Sequence, residues 1–468
     1  MKKLFVPVQN LNYHILMKKF LICLISVLTA VLLSPENAYS LTGAWRGDLS
    51  VGKAKVPLVF NFFEKDGRTK CTLDSPAQGV KGISVSVWLC TEDSVSLACS
   101  RINMKYSGKV SAGSISGTFR QNGQVFPLTL KPETPLEERR PQTPRPPFPY
   151  TVVDTSFAAS DGAVMSATLT LPASYAGKKK IPAVVFVTGS GPQNRDEELL
   201  DHKPFAVIAD FLARNGVASL RYDDRGTAKS TGDFSTATTA TFKEDARSGI
   251  EFLRQLPDIG KVGVIGHSEG GTIAFMLGAE RATDFLVSLG GMAESGKETL
   301  MRQNRHGLDV AGIPDADKEV SLELIGRLFD TIEAQARQGV SAPIDVDSVV
   351  SASGLNVPPA IVQSLKMTQR TRSPWFDAFL SLNPREYIRK IKCPALAING
   401  DKDTQVSPDN LEVIRQLAPK ARTMLMPGLN HLFQHAVTGE ISEYDEIRET
   451  ISPEVLEAIL RFIEEKGR

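Results

Sequence analysis

Several things are scarce in this sequence, and each scarcity excludes a class. Neither charge sign dominates: 54 basic and 53 acidic side chains leave a formal net charge of +1 over 468 residues. That excludes a nucleic-acid binder driven by bulk electrostatics, because such domains are strongly basic. Histidine is limited to six residues and cysteine to five, and no His/Cys spacing resembles a zinc site. The Gly-rich stretches lack what phosphate loops require. Gly189-Ser190-Gly191-Pro192-Gln193-Asn194 has no third glycine of a dinucleotide fingerprint, and no Gly-Lys-Ser/Thr is present in either Gly-rich loop. Asp401-Lys402-Asp403-Thr404-Gln405-Val406 carries Val406 where a calcium loop needs glycine. No cofactor and no metal are called for. The longest apolar run, Leu21 to Leu33, falls short of the ~20 residues of a comfortable membrane span.

What is present is ordinary for a soluble globular chain, with 42% hydrophobic and 23% charged residues. The length suggests two or three domains at about 100–200 residues each. The N-terminus departs from this composition. Met17-Lys18-Lys19-Phe20 precedes the apolar run, and Ala38-Tyr39-Ser40 offers a small-x-small cleavage pattern. Residues 1–40 read as a Sec signal peptide cut after Ser40, with Met17 a candidate true start. The mature chain is then exported, to the periplasm or the exterior, with no stable membrane span. An uncleaved anchor is the alternative. Of the remaining cysteines, Cys71, Cys90 and Cys99 cluster and Cys393 stands apart. One disulfide among them and buried free thiols are both open.

Residues 41–131 alternate short apolar runs with turn residues. Val56 to Phe62 leads to Asp66-Gly67, and Asn122-Gly123 separates Ile115 to Phe119 from Val125 to Leu130. Such dipeptides between alternating runs are hairpin signals, so a small antiparallel β domain, barrel or sandwich, is expected. It has no histidine, which speaks against catalysis, and no evident aromatic platform, which favours packing on the domain that follows over binding a glycan or polymer. Proline density at 132–149 predicts an extended, semi-rigid linker. From about 150 to 468 apolar runs alternate with helical patterns: Pro182 to Val187, Ala218 to Tyr222, Val262 to Ile265, Phe285 to Leu289, Ala395 to Ile398 and Thr423 to Met426. This predicts an α/β domain on a mostly parallel sheet covered on both faces. Residues 295–385 contain helical patterns such as Leu322 to Ala336 and no convincing strand, so they read as a helical insertion.

The chemistry centres on Gly266-His267-Ser268-Glu269-Gly270-Gly271. A buried-type strand precedes this G-x-S-x-G and a helix-compatible run, Thr272 to Leu277, follows it. A serine on such a turn projects its hydroxyl at the carboxyl end of the sheet. It needs a base, since a free hydroxyl is a weak nucleophile at neutral pH. The alternative is a Gly-rich turn that only packs helix on sheet. The base should come after the serine and an acid. His14 and His202 precede it, His306 lies in the insertion, and His267, within the elbow, is expected to point elsewhere. His431, just past the last strand, is preferred over His435. The acid should follow the Ala395 run. Asp403 is preferred, with Asp401 in reserve, because Asn399-Gly400-Asp401 also suits a turn. An oxyanion hole needs two N–H groups: that of Glu269, and one from the loop Gly189 to Gln193, with Ser190 the choice because Pro192 has none. The cluster Arg221-Tyr222-Asp223-Asp224-Arg225-Gly226 is expected to tie loops together rather than line the site.

With these motifs assembled, residues 150–468 resemble the α/β-hydrolase superfamily, in particular bacterial secreted esterases of the serine-aminopeptidase-like or dienelactone-hydrolase-like kind. The stretches that carry the resemblance are Thr188 to Gln193, Arg221 to Gly226, Gly266 to Gly271, Asn399 to Asp403 and Gly428-Leu429-Asn430-His431-Leu432-Phe433. It implies Ser268, Asp403 and His431 as the triad, and a β domain ahead of the hydrolase domain in a subset of relatives. Thr188-Gly189 stands where many relatives carry His-Gly. The expected function is hydrolysis of carboxylic esters, small or glycan-linked, through an acyl-enzyme. A serine aminopeptidase or amidase is the second reading, and a binding protein on a degenerate hydrolase scaffold the third.

Overall fold

A computed structural model describes residues 41–467 except 52, 53, 79, 176–179 and 371; the signal peptide read at 1–40 lies outside the described residues. The chain forms two compact units that part at Glu133 and Thr134.

The first unit is a closed barrel of strands β1 Gly43–Val51, β2 Ala54–Lys65, β3 Arg68–Ser75, β4 Val80–Cys90, β5 Ser94–Cys99, β6 Met104–Ser111, β7 Ser114–Gln121 and β8 Gln124–Pro132, neighbours in that order. Closure comes from β1 on β8, with Trp45 opposite Pro132. Asp66-Gly67 and Asn122-Gly123 turn with positive φ at both residues, which is what tight hairpins demand. Alternation then sends Phe60, Phe62, Leu73, Tyr106 and Phe119 inward. Between barrel and sandwich, the structure decides for the barrel. Cys71, Cys90, Cys99 and Cys393 are all free thiols. Burial pushes the Cys71 thiol up to about 12, so it behaves as a small apolar side chain.

The second unit holds an eight-stranded sheet. Its strands are β9 Thr151–Ala158, β10 Val164–Leu171, β11 Ile181–Val187, β12 Ala218–Tyr222, β13 Ile259–His267, β14 Phe285–Leu289, β15 Ala395–Gly400 and β16 Arg422–Met426. The spatial order is β9-β10-β12-β11-β13-β14-β15-β16. Pairings from β12 through β16 are parallel, whereas β9 and β10 are antiparallel to each other and β10 to β12. Sequence patterning finds β11 to β16 and misses the β9–β10 hairpin, because edge strand β9 is mostly exposed and offers no apolar run. Helices Thr239–Arg254, Glu269–Ala279 and Asn410–Leu417 bury one face of the sheet, and Pro204–Arg214 with Pro453–Lys466 bury the other. The insertion between β14 and β15 carries helices and no strand among its described residues, from Gly296–Val310 and Asp315–Arg337 to Pro374–Leu380 and Arg385–Ile388, around its own core of Leu324, Leu328, Phe329 and Ile332. No described helix is long and apolar enough to cross a membrane.

The stretch 132–149 differs from an extended spacer. Leu136–Arg139 makes a helical turn, and Arg140 is only 1% exposed. Its guanidinium donates to the carbonyls of Leu200, Asp445 and Ile447. Carbonyl acceptors that would otherwise be buried without partners hold this arginine in place. Beside it, His202 is fully buried between the Thr450 hydroxyl (3.0 Å) and the Tyr444 carbonyl (2.9 Å). These contacts brace the chain that follows His431.

Burial, aided by the Arg140 charge, holds the His202 imidazole down at about 4 from an ordinary 6.5. Above 6.5 both folded and unfolded chains are neutral there. As pH falls from 6.5 toward 4 only the unfolded chain takes up the proton, so stability falls by up to about 3 kcal/mol. Urea unfolding across this range should show that loss, and His202→Gln, less stable at pH 7, should show a shallower one. Equal slopes in the two proteins would rule the residue out as the cause.

Candidate active site

Ser268 joins β13 to the helix Glu269–Ala279 at φ 54, ψ −118, a left-handed conformation that costs a non-glycine residue about 1–3 kcal/mol. The flanking glycines make it possible. A Cβ on Gly266 would strike the Gly270 carbonyl, and one on Gly270 would strike the carbonyls of Val187 and Thr188. Strand and helix therefore approach backbone to backbone, and Ser268 is left half-buried at the sheet's carboxyl edge. Its N–H donates to the Leu289 carbonyl at 2.8 Å, which ties the turn to the end of β14.

The next residue along β14, Gly290, has φ 60, and a Cβ there would lie 3.3 Å from His431 Cε1 and 3.5 Å from Asp403 Oδ2. Thus Ser268, bonded to Leu289, and the His431–Asp403 pair, packed against Gly290, both lie at the carboxyl ends of β13 and β14, with no Ser268–His431 hydrogen bond among the described residues. His431 Nδ1 donates to Asp403 Oδ2 at 2.7 Å, and both side chains are buried. The other oxygen, Oδ1, accepts the N–H groups of Gln405 (2.9 Å) and Val406 (2.8 Å), so both carboxylate oxygens are held. The reserve residues fall elsewhere. Asp401 accepts the Gly428 N–H, a brace between loops, and His435 pairs with Glu449 with its side chain 55% exposed.

The loop after β11 passes Ser268 so closely that a Cβ on Gly189 would be 3.1 Å from Ser268 Cβ. Its N–H groups sort themselves by partner. Gly189 donates to Glu197 Oε1 (2.8 Å) and Gln193 to Asp224 Oδ2 (2.9 Å), while Pro192 has none. Among the described residues no acceptor takes the Ser190 or Gly191 N–H. Glu269 opens its helix, so its N–H has no intrahelical acceptor. The Ser190 hydroxyl donates to Glu269 Oε2 at 2.7 Å, which links the two residues chosen for an oxyanion hole.

Several contributors escape sequence reasoning. His267 does not simply point away. Its Nδ1 faces Glu197 Oε1 and its Nε2 donates to the His431 carbonyl, each at 2.9 Å, with the two imidazole rings 4.6 Å apart. Burial alone pushes its pKa down, but the Glu197 carboxylate outweighs this and holds it above the usual value. One carboxylate thus braces the Gly189 loop and, through His267, the backbone of His431. Nothing in the acidic run Asp196-Glu197-Glu198 marks the middle residue. Thr239 and Trp375, which donate to Glu269, are equally silent in sequence. The Asp223-Asp224-Arg225 cluster does tie loops: Arg225 pairs with Asp161 and Asp245, and Asp223 with Arg195. Asp224 also accepts from Thr188 Oγ1, and its burial holds its carboxyl well above the usual range.

A sheet of this strand order, with a strained serine between β13 and its helix and an acid–histidine pair on the loops after β15 and β16, defines an α/β hydrolase. Within that class the chain belongs to the X-Pro dipeptidyl-peptidase family (S15), whose profile matches residues 161–433. It is 24% identical over 339 residues to esterase EstD of Thermotoga maritima, covering 71% of either chain. Similar solved structures include an esterase of Pyrococcus furiosus, with TM-score 0.42 and 17% identity over 68% of this chain and 92% of that one. Another is the α/β hydrolase GrgF of a Penicillium species, with TM-score 0.42 and 16% identity over 68% and 99%. The chain is a hydrolase; its substrate is a separate matter.

Gly266→Ala should cost about 3 kcal/mol or more, since the added methyl meets backbone that cannot turn aside. Thermal denaturation is the check, and an unchanged Tm would mean that the turn has slack that the packing does not show.

Proposed function

We propose that the protein is a carboxylic ester hydrolase working through Ser268, His431 and Asp403. Ser268 Oγ attacks the ester carbonyl carbon while His431 Nε2 takes its proton. The carbonyl π pair moves onto oxygen, which the N–H groups of Ser190 and Glu269 stabilise. As the intermediate collapses, the C–O bond to the alcohol breaks and His431 returns the proton to the departing oxygen. Water then attacks the acyl-serine, His431 takes its proton, and the acid leaves as Ser268 recovers the proton. Asp403 keeps Nδ1–H pointing at itself, so Nε2 is free to act as base, and it stabilises the imidazolium.

The observation that favours an ester over a peptide N-terminus is the state of the carboxylates around the nucleophile. An exopeptidase that reads a free N-terminus needs an accessible anion for the ammonium group. Glu269 already accepts from Ser190, Thr239 and Trp375, Asp224 from Thr188 and Gln193, and Glu197 from Gly189 while facing His267. EstD, the relative noted above, is named an esterase, which agrees with this reading. We also propose export, on the signal-like pattern before Ser40; N-terminal sequencing of the mature protein should begin at Leu41.

The test is turnover of p-nitrophenyl esters from acetate to laurate, beside aminoacyl and Xaa-Pro p-nitroanilides. Ester turnover should fall by at least ~10⁴ in Ser268→Ala and by about 10⁴ in kcat for Asp403→Asn, with Asp401→Asn close to wild type. Anilide turnover without ester turnover would move the reading to a peptidase or amidase. Inertness toward both classes would revive the binding scaffold.

A further inference from the structure

We infer that the side chain of Glu269 is a positioning group that holds the oxyanion hole in shape and couples it to the helical insertion through Trp375; this rests on the acyl-transfer reading above. Glu269 is 2% exposed, and its carboxyl collects donors from three separate segments. Ser190 Oγ donates to Oε2 at 2.7 Å from the loop after β11. Thr239 Oγ1 donates to Oε1 at 2.6 Å from the first residue of the helix Thr239–Arg254. Trp375 Nε1 lies 3.0 Å from both oxygens, reaching in from the insertion helix Pro374–Leu380.

Ser190 needs such a tether. It is exposed and stands between Gly189 and Gly191, the latter at φ 97, so its backbone has little else to fix its direction. The hydroxyl-to-carboxylate bond ties it to the residue that supplies the other N–H of the hole. Both donors are then set by one contact. Trp375 packs at a tilt against Phe379, ring centroids 4.9 Å apart, and against the core on one face of the sheet, so its indole N–H is held in place. Withdrawing the insertion removes one of the donors that satisfies this buried carboxyl. The carboxyl must then find another partner, and the Ser190 bond is the one carried by a loop rather than by a helix. Seating of the insertion and readiness of the hole are thereby one event. A displacement of about 1 Å in an oxyanion donor is enough to cost ~10²-fold in rate.

The experiment compares wild type with Ser190→Ala, Ser190→Thr, Trp375→Phe and the double variant Ser190→Ala/Trp375→Phe. Readouts are kcat and KM on p-nitrophenyl butyrate and the Ki of a butyryl-like trifluoromethyl ketone, whose adduct carries an oxyanion. Labelling of Ser268 by a fluorophosphonate is scored in parallel. Ser190→Ala and Trp375→Phe should each lower kcat about 10-fold or more with little change in KM, and weaken the ketone by a similar factor. Ser190→Thr, which keeps the hydroxyl, should recover most of the loss. The double variant should lose less than the product of the single effects, because both act through Glu269. Wild-type kcat and Ki in Ser190→Ala, with wild-type Ser268 still labelled, would overturn the inference and leave the acyl-transfer reading intact. A wild-type protein that neither turns over ester nor labels at Ser268 would overturn both. Thermal stability guards against misfolding. A loss of Tm with kcat, KM and Ki unchanged would assign Glu269 a purely structural role and also overturn the inference.

Discussion

Ser268 stands in a left-handed backbone conformation where β13 ends, and the remainder of the site is arranged around that turn. The turn exists because Gly266 and Gly270 let strand, helix and the β11 carbonyls meet with no side chain between them. The local strain is small beside the burial of the helix Glu269–Ala279, which is apolar almost all round and packed against the sheet. Once that helix is seated, the serine has one place to be. The loops after β11, β14, β15 and β16 then end around it, as parallel strands require of their carboxyl edges.

Charge is handled in this neighbourhood by giving each buried carboxylate two or more hydrogen-bond partners, although both partners of Glu197 fall on Oε1 and leave its buried Oε2 without one. Asp403 has two backbone N–H groups and one imidazole, and its direction toward His431 follows from them. Glu197 has the Gly189 N–H and His267, while Asp224 has the Gln193 N–H and a threonine hydroxyl. Glu269 has two hydroxyls and an indole. The same physical device therefore serves four ends: orienting the His431 imidazole, bracing the backbone beneath it, anchoring the β11 loop, and joining that loop to the insertion.

The parts of this site that stand in the sequence are those with a local cause. Ser268 is legible because glycines at both sides and a strand before it have no better explanation than a tight turn. His431 is preferred over His435 because it follows the last strand sooner, and Asp403 over Asp401 because Asn399-Gly400-Asp401 suits a turn; the preferred two are the ones in contact with each other. The β9–β10 hairpin is not legible, since an exposed edge strand needs no apolar run. Nor is the fate of 132–149, where proline content suggests a spacer and Arg140 instead satisfies three carbonyls from distant segments.

By itself, then, the sequence determined the class of chemistry, the tight turn at Ser268 and the alternation of strands and helices, because these depend on residues adjacent in the chain and on the periodicity of burial. Only the tertiary structure decided how Glu197, His267, Thr239 and Trp375 enter the site. Their roles arise from hydrogen bonds between residues 8 to 164 positions apart, and a buried polar group takes as its partner whatever the folded chain brings within about 3 Å.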